Sequence, residues 1–261
     1  VSRPAFPDHF SRHASHYADA RPTYPPALFE WLATLTERHD CAWDVGTGNG
    51  QAARDLARFY RRVMATDASQ QQIAAAQPAP NVEYRVAAAE DSGLADQSID
   101  LVTVAQALHW FDLKRFWPEV RRVCRPRAAF VAWAYGYVRV EPRIDAVVMD
   151  FYENVVGPYW PPERSAVEEG YTSIVIPFTP IALPAGMELA VEWSVGALRA
   201  YIESWSATQR FIAARGRQAV HEFGARLEQA WGDVPERRVS WTLSIRAARV
   251  CGDLECTSDD G

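Results

Sequence analysis

The chain has 261 residues, a formal net charge of −6 and 48% apolar residues, a composition that excludes a disordered polyelectrolyte and supports a substantial core. Its basic residues are peculiar. Only Lys114 is lysine and all the others are arginine, so any bound anion meets a guanidinium fork rather than a point charge.

A net acidic chain whose longest basic clusters are pairs (Arg61-Arg62, Arg121-Arg122, Arg237-Arg238) is not expected to wrap nucleic acid. No apolar run approaches the roughly 18–20 residues of a membrane span, and Val1 to Tyr17 does not have the apolar stretch of a signal peptide. Cys41, Cys124, Cys251 and Cys256 lack metal-ligand spacing, so no metal is expected, and the default location is the reducing cytoplasm.

In chain order, Leu28, Trp31, Leu32 and Leu35 repeat at helical spacing after a proline-rich start. A buried strand follows at Cys41–Val45, then Gly46-Thr47-Gly48-Asn49-Gly50, then a helix with Ala53, Leu56, Ala57 and Tyr60 on one face. Val63–Thr66 reads as a strand ending at Asp67, and Ile73 marks the next helix. Val82, Tyr84 and Val86 alternate with polar residues as a third strand. Ile99–Val104, Phe116–Val123 and Ala128–Trp133 continue as strand, helix and strand. This alternation predicts a doubly wound, mostly parallel α/β sheet.

The pattern changes after Trp133. Residues from Tyr135 to Tyr171 are rich in aromatics and proline, with a helix expected across Ile144–Val156. Strands are expected at Ser173–Leu183 and Glu188–Trp193, and Val195, Leu198, Ile202 and Trp205 mark a helix. Another helix is expected near Ala219–Trp231, followed by a strand in which Val239, Trp241, Leu243 and Ile245 alternate with polar residues.

The glycine loop carries the most chemical information. Glycines permit a sharp turn and let a ligand lie against bare backbone, while the following helix offers unpaired N–H groups. A dinucleotide loop requires glycine where Gln51 stands, and Asp44 before the first glycine disfavours a nearby pyrophosphate. A carboxylate there suits a cofactor that presents a cation.

Asp44 through Gly50 resembles the first motif of the seven-stranded, class I S-adenosylmethionine-dependent methyltransferases: an acid, an apolar residue, then Gly-x-Gly-x-Gly. Asp67 corresponds to the acid ending their second strand, which binds the ribose hydroxyls. Ala89-Glu90-Asp91 matches the segment along the adenine edge, and Ala105 to Phe111 the segment lining methyl donor and acceptor. Phe10, Ala14, Tyr17, Arg21-Pro22 and Tyr24-Pro25 look like the N-terminal lid of the small-molecule group that includes trans-aconitate methyltransferases. So do Leu108 to Asp112 and Ser204 to Ala207. Cys124 to Ala128 departs from the Pro-Gly-Gly turn common in relatives, which puts the local turn geometry in question.

The resemblance implies a Rossmann-like fold with residues 1–40 as a helical lid and 41–134 as the cofactor-binding core. Residues 135–194 would form an insertion and substrate cap after the fifth strand. Helices and a last strand in 195–250 would complete the sheet, and 251–261 would be a disordered tail. It further implies S-adenosylmethionine as cofactor, S-adenosylhomocysteine as product, and contacts from Tyr17, Arg21, Asp44, Gly46, Thr47, Gly48, Gly50, Asp67, Ala68, Ala89, Glu90 and Ala105. Asp44 also reads as a strand-end cap, and Tyr17 with Arg21 as a packing pair on one helix face.

His109, Trp110, Tyr135 and Trp205 are the candidate acceptor contacts, with His109 as a possible base or a merely buried ring. Transfer from a sulfonium needs alignment and exclusion of water, and a base only when the acceptor must lose a proton. The expected activity is O-methylation of a carboxylate or phenolic small molecule by a monomer or homodimer. A nicotinamide-dependent oxidoreductase and a catalytically idle cofactor binder are the alternatives.

Overall fold

A computed structural model describes residues 21–184 and 187–250. Tyr17, the rest of the expected lid before Arg21, and the tail beyond Val250 lie outside the described residues. Pro26 opens α1 (Pro26–Thr34), where a missing N–H costs nothing, and Leu28, Phe29 and Leu32 turn inward from it. Next come β1 (Cys41–Val45), α2 (Gln51–Leu56), β2 (Arg62–Asp67), α3 (Gln70–Ala74), β3 (Val82–Val86) and β4 (Ile99–Ala105). A single 3₁₀ turn, Leu108–Trp110, precedes α4 (Leu113–Val123) and β5 (Cys124–Arg139).

The sheet has the order β3-β2-β1-β4-β5, every neighbouring pair parallel. β8 (Arg237–Arg249) joins antiparallel beside β5, and its far edge carries β6 (Thr179–Pro180) and β7 (Leu189–Trp193). This is the doubly wound, Rossmann-like arrangement expected from the alternating pattern. The period-2 pleat of β5 divides the core in two. Ala129, Val131, Trp133 and Tyr135 face α1, α2 and the C-terminal helices, while Ala128, Phe130, Ala132 and Ala134 face α4. Among the described residues, no helix is long and apolar enough to cross a membrane.

Between β5 and β6 the chain forms α5 (Pro142–Asp150), a π-helical turn (Phe151–Val155), a 3₁₀ turn (Gly157–Tyr159) and α6 (Arg164–Glu168). The C-terminal helices are α7 (Val195–Glu203), α8 (Ser206–Arg215) and α9 (Gln218–Trp231). Several sequence expectations change here. The strand expected at Ser173–Leu183 shrinks to Thr179–Pro180, because Pro177 and Pro180 lack the N–H groups of a longer ladder. The helix expected to run from Val195 to Trp205 stops at Glu203, and α8 was not foreseen because it buries only Ala207 and Thr208. β5 continues six residues past Trp133, through a bulge between Tyr135 and Val138. Near the start of β5, where its pairing with β4 shifts register, Arg127 adopts φ 65°, taking a left-handed conformation that glycine adopts at lower cost.

Gly50 caps α2 at φ 83°, and a Cβ there would lie 2.3 Å from Tyr84 Oη and 2.6 Å from its ring. Gly50→Ala is therefore expected to cost about 2 kcal/mol, lowering Tm by roughly 5 °C. Thermal melts of Gly50→Ala, Tyr84→Val and the double variant check the cause: the two losses should be less than additive.

Candidate functional site

β1 and β4 lie side by side while their connections run to opposite sides, so a crevice opens beyond their carboxyl ends. The loop after β1 and the segment after β4 meet there. Gly46, at φ 67°, approaches so closely that an added Cβ would stand 2.6 Å from Ala107 Cβ. Asp44 is fully buried beneath this junction. Thr47 donates its hydroxyl to one carboxylate oxygen at 2.6 Å, and Thr103 of β4 donates to the other at 2.8 Å. Burial pushes the Asp44 carboxyl up to about 6, against the pull of the two hydroxyls.

The crevice is a cavity of ≈ 760 Å³, within the range of small-molecule sites. Of the residues expected at a cofactor, Arg21, Gly46, Thr47, Gly48, Asp67, Ala68, Ala89, Glu90 and Ala105 line it. Asp67 ends β2 and accepts backbone N–H bonds from Gly48 and Ser69, both at 2.8 Å, which fixes its carboxylate against the glycine loop. Glu90 accepts from the N–H of Asp112, the cap of α4, at 2.8 Å. Arg21 reaches Tyr135 Oη at 3.4 Å and lies over the Tyr201 ring at 5.4 Å.

Two of the expected cofactor contacts stand away from the cavity wall. Asp44 does not line the cavity; its oxygens are taken by Thr47 and Thr103, so it organises the loop from below. Gly50 does not line it either, and is required by its approach to Tyr84.

Residues outside the expected set of individual cofactor and acceptor contacts complete the wall. Gln51 donates to the Pro22 carbonyl at 2.9 Å and so ties the N-terminal segment to the glycine loop. Its signal was visible, since Gln51 replaces the glycine of a dinucleotide motif. Gln106, immediately after β4, holds φ 56° and donates to the Tyr135 carbonyl at 3.2 Å. A strained non-glycine backbone in a cavity wall is a mark of functional sites, but nothing in the sequence encodes it. Tyr24 and Arg115 also line the cavity.

The four candidate acceptor contacts divide. Trp110 and Tyr135 line the cavity; His109 and Trp205 do not. Trp205 is buried among Tyr152, Trp160 and Tyr201 at ring separations of 5.5, 5.7 and 5.7 Å, an aromatic core position. His109 backs Trp110 at 4.6 Å between rings, and its Nδ1 lies 3.0 Å from Tyr171 Oη. Tyr171 is fully buried at φ 61°, with Arg246 donating to its carbonyl. Burial, aided by the Arg164 guanidinium, lowers the His109 imidazole to about 3. A ring that stays neutral across the physiological range, outside the cavity wall, is poorly placed to act as general base. Among the described residues no cluster of His, Cys, Asp and Glu could hold a metal ion.

Comparison with known proteins gives this geometry its context. A family profile described as a methyltransferase domain matches residues 43–132. A Dictyostelium discoideum protein, provisionally named a methyltransferase, is 35% identical over 235 residues, spanning 87% of each chain. A solved structure from Anaeromyxobacter dehalogenans, under the provisional description of a type II methyltransferase, is 43% identical with a TM-score of 0.82. That match covers 89% of this chain and 99% of the other. A phosphoethanolamine N-methyltransferase of Haemonchus contortus, solved with S-adenosylhomocysteine, shares the fold at 16% identity and a TM-score of 0.50. The match covers 95% of this chain and 61% of that one.

The depressed His109 value makes a pH prediction. The unfolded chain takes up a proton near pH 6.5 that the folded ring refuses until about 3. His109 thus adds stability above pH 6.5 that is lost as pH falls toward 3, on the order of 5 kcal/mol in full. Urea unfolding from pH 7 to pH 4 should show this loss, and His109→Asn should flatten it.

Proposed function

The chain belongs to the class I S-adenosylmethionine-dependent methyltransferases, and from that premise we propose that it methylates an oxygen of a small-molecule acid or phenol. The observation that carries this reading is the single cavity that joins the glycine loop, Asp67 and the 87–91 segment to an aromatic mouth of Trp110, Phe111 and Tyr135.

The donor set fits the family's cofactor. Asp67 presents a carboxylate at a strand end, the chemistry a vicinal ribose diol requires. Val86 to Ala89 provide an apolar wall, and Glu90 and Asp91 offer acceptors beside it for an adenine amine. Arg21 supplies a cation for the carboxylate of the methionine portion, and Thr47, Gly48 and Asn49 place polar groups along the loop. When bound, the sulfonium supplies an already activated methyl group.

The protein's own work is then alignment and exclusion of water. Gln106 and Tyr135 form one side of the mouth, joined by the hydrogen bond between them. Trp110 and Phe111 form the other side, on the short turn before α4. Gln51 holds Pro22 beside the glycine loop, and Tyr135, at the start of the 135–194 insertion, stands at the acceptor side of the cavity. His109 is a neutral ring behind the wall, so an acceptor already ionised at neutral pH is served best. That favours a carboxylate over a phenol, in keeping with the resemblance of Leu108 to Asp112 to trans-aconitate methyltransferases. Neither the oxidoreductase nor the idle binder receives support from the relatives.

Calorimetric titration tests the cofactor assignments. Asp67→Ala is expected to weaken S-adenosylhomocysteine binding by about a hundredfold, as a charge-assisted pair of hydrogen bonds is lost. Arg21→Lys, which keeps charge but loses the fork, should weaken it by about tenfold. Unchanged affinity in either variant removes that residue from the cofactor site. For the acceptor, kcat on a carboxylate substrate should show no acid-side loss near pH 6.5 and should survive His109→Asn within about threefold.

A further inference from the structure

Behind Trp110 lies a second group of polar donors, set among aromatic rings and outside the cofactor wall. α6 packs on both β5 and the Leu108–Trp110 turn, which brings Arg164 to the segment that carries Trp110 and His109. The Arg164 guanidinium lies 4.7 Å over the Trp160 ring. Its Nε donates to Tyr152 Oη at 3.1 Å and pairs with Glu168 at 3.7 Å, while the Tyr152 hydroxyl donates to Glu168. These contacts use the Nε edge. Nη1 and Nη2, the two-pronged end, hold no hydrogen bond to any described residue.

Two further donors have no partner among the described residues. Trp160 Nε1 is buried with no hydrogen bond among the described residues, although buried indole N–H groups are nearly always satisfied. His109 engages only Nδ1. The Tyr171 oxygen faces the backbone amides of Leu108 and His109, so its own proton goes to Nδ1 and the imidazole carries hydrogen on Nε2. Tyr152, which orients Arg164, sits in the π-helical turn Phe151–Val155, a local irregularity frequent at functional sites.

We propose that Arg164, Trp160 and His109 form an anchor for a carboxylate of the acceptor, whose remaining frame reaches past Trp110 toward the cavity. The proposal rests on the small-molecule reading above and names its acceptor class: a planar or unsaturated organic acid. Arg164 contributes the bidentate fork, and Tyr152 with Glu168 fixes its plane. Trp160 and His109 contribute neutral N–H groups. The aromatic surroundings, with the Tyr137 and Tyr152 rings 5.1 Å apart, suit a flat hydrocarbon frame better than a phosphate or a sugar.

The test uses the full chain, ¹⁵N-labelled at tryptophan and saturated with S-adenosylhomocysteine. Benzoate, trans-aconitate and neutral benzamide are titrated to about 10 mM. The Trp160 indole resonance is identified by its loss in Trp160→Phe. Either carboxylate should shift that resonance saturably and benzamide should not. Arg164→Gln should weaken carboxylate binding about tenfold or more, and Arg164→Lys should recover part of it. Cofactor affinity and Tm should remain at wild-type values in both, which separates loss of the anchor from misfolding.

The proposal is overturned if neither carboxylate moves the resonance, if benzamide moves it equally, or if Arg164→Gln binds as the wild type does. Methyl transfer to the same compounds is measured in parallel. Carboxylate binding without transfer keeps the anchor and rejects the acceptor reading; transfer to a neutral acceptor without carboxylate binding rejects the anchor alone.

Discussion

A fully buried carboxylate holds the cofactor end of this protein together. Asp44 receives one hydroxyl from the glycine loop and one from β4, so the loop after β1 and the strand beside it share one anion. Burying a charge in this way is expensive unless it is hydrogen-bonded, and the raised carboxyl records the part that is not recovered. Its position dictates the rest. Thr47 is drawn down toward Asp44, the loop turns through Gly46 and Gly48 at positive φ, and Gly46 comes against Ala107. Asp67, one strand away, then meets the same loop at the Gly48 N–H. The cavity is thus shaped by hydrogen bonds made beneath its floor as well as by the groups that face into it.

The sequence conveyed the parallel core well because each of its strands is short, apolar and followed by a distinct turn. Asp67 and the glycines could be placed because a strand end and a loop fix where a side chain emerges. Asp44 showed the limit of that reasoning. Its type and position were legible, but whether it faced ligand or protein depended on Thr103, fifty-nine residues away. His109 is the same lesson from the other direction: a histidine beside Trp110 looks reactive until Tyr171 and Arg164, both from the insertion, make it a buried neutral ring. Gln106 offered even less, since backbone strain leaves no compositional trace.

The insertion and the C-terminal elements were harder to read for a physical reason. They do not follow one period. α8 buries little, β6 is limited by prolines, and the helix after Pro142 widens into a π turn. Their order comes instead from ring packing: Tyr137, Tyr152, Trp160, Trp205, Tyr201, Trp193 and Trp241 form a continuous chain of edge and tilted contacts. Tyr135 joins that chain to the cavity through Trp241. Such a structure is specified by which rings touch, and a linear pattern does not encode that.

The near-absence of lysine takes on a structural meaning in this setting. Arginine guanidinium groups lie over Tyr201, Phe178, Trp160 and Trp231, each from a different part of the chain. A guanidinium can rest its flat face on a ring while its edges donate hydrogen bonds, as Arg21 does toward Tyr135 and Arg164 toward Tyr152. An ammonium group, compact and strongly hydrated, would have to surrender water to occupy the same places. A chain that braces its acceptor side with aromatics therefore gains from arginine what lysine cannot supply. Whatever bias set the composition, the fold uses it where Arg21 and Arg164 combine stacking, hydrogen bonding and charge in a single side chain.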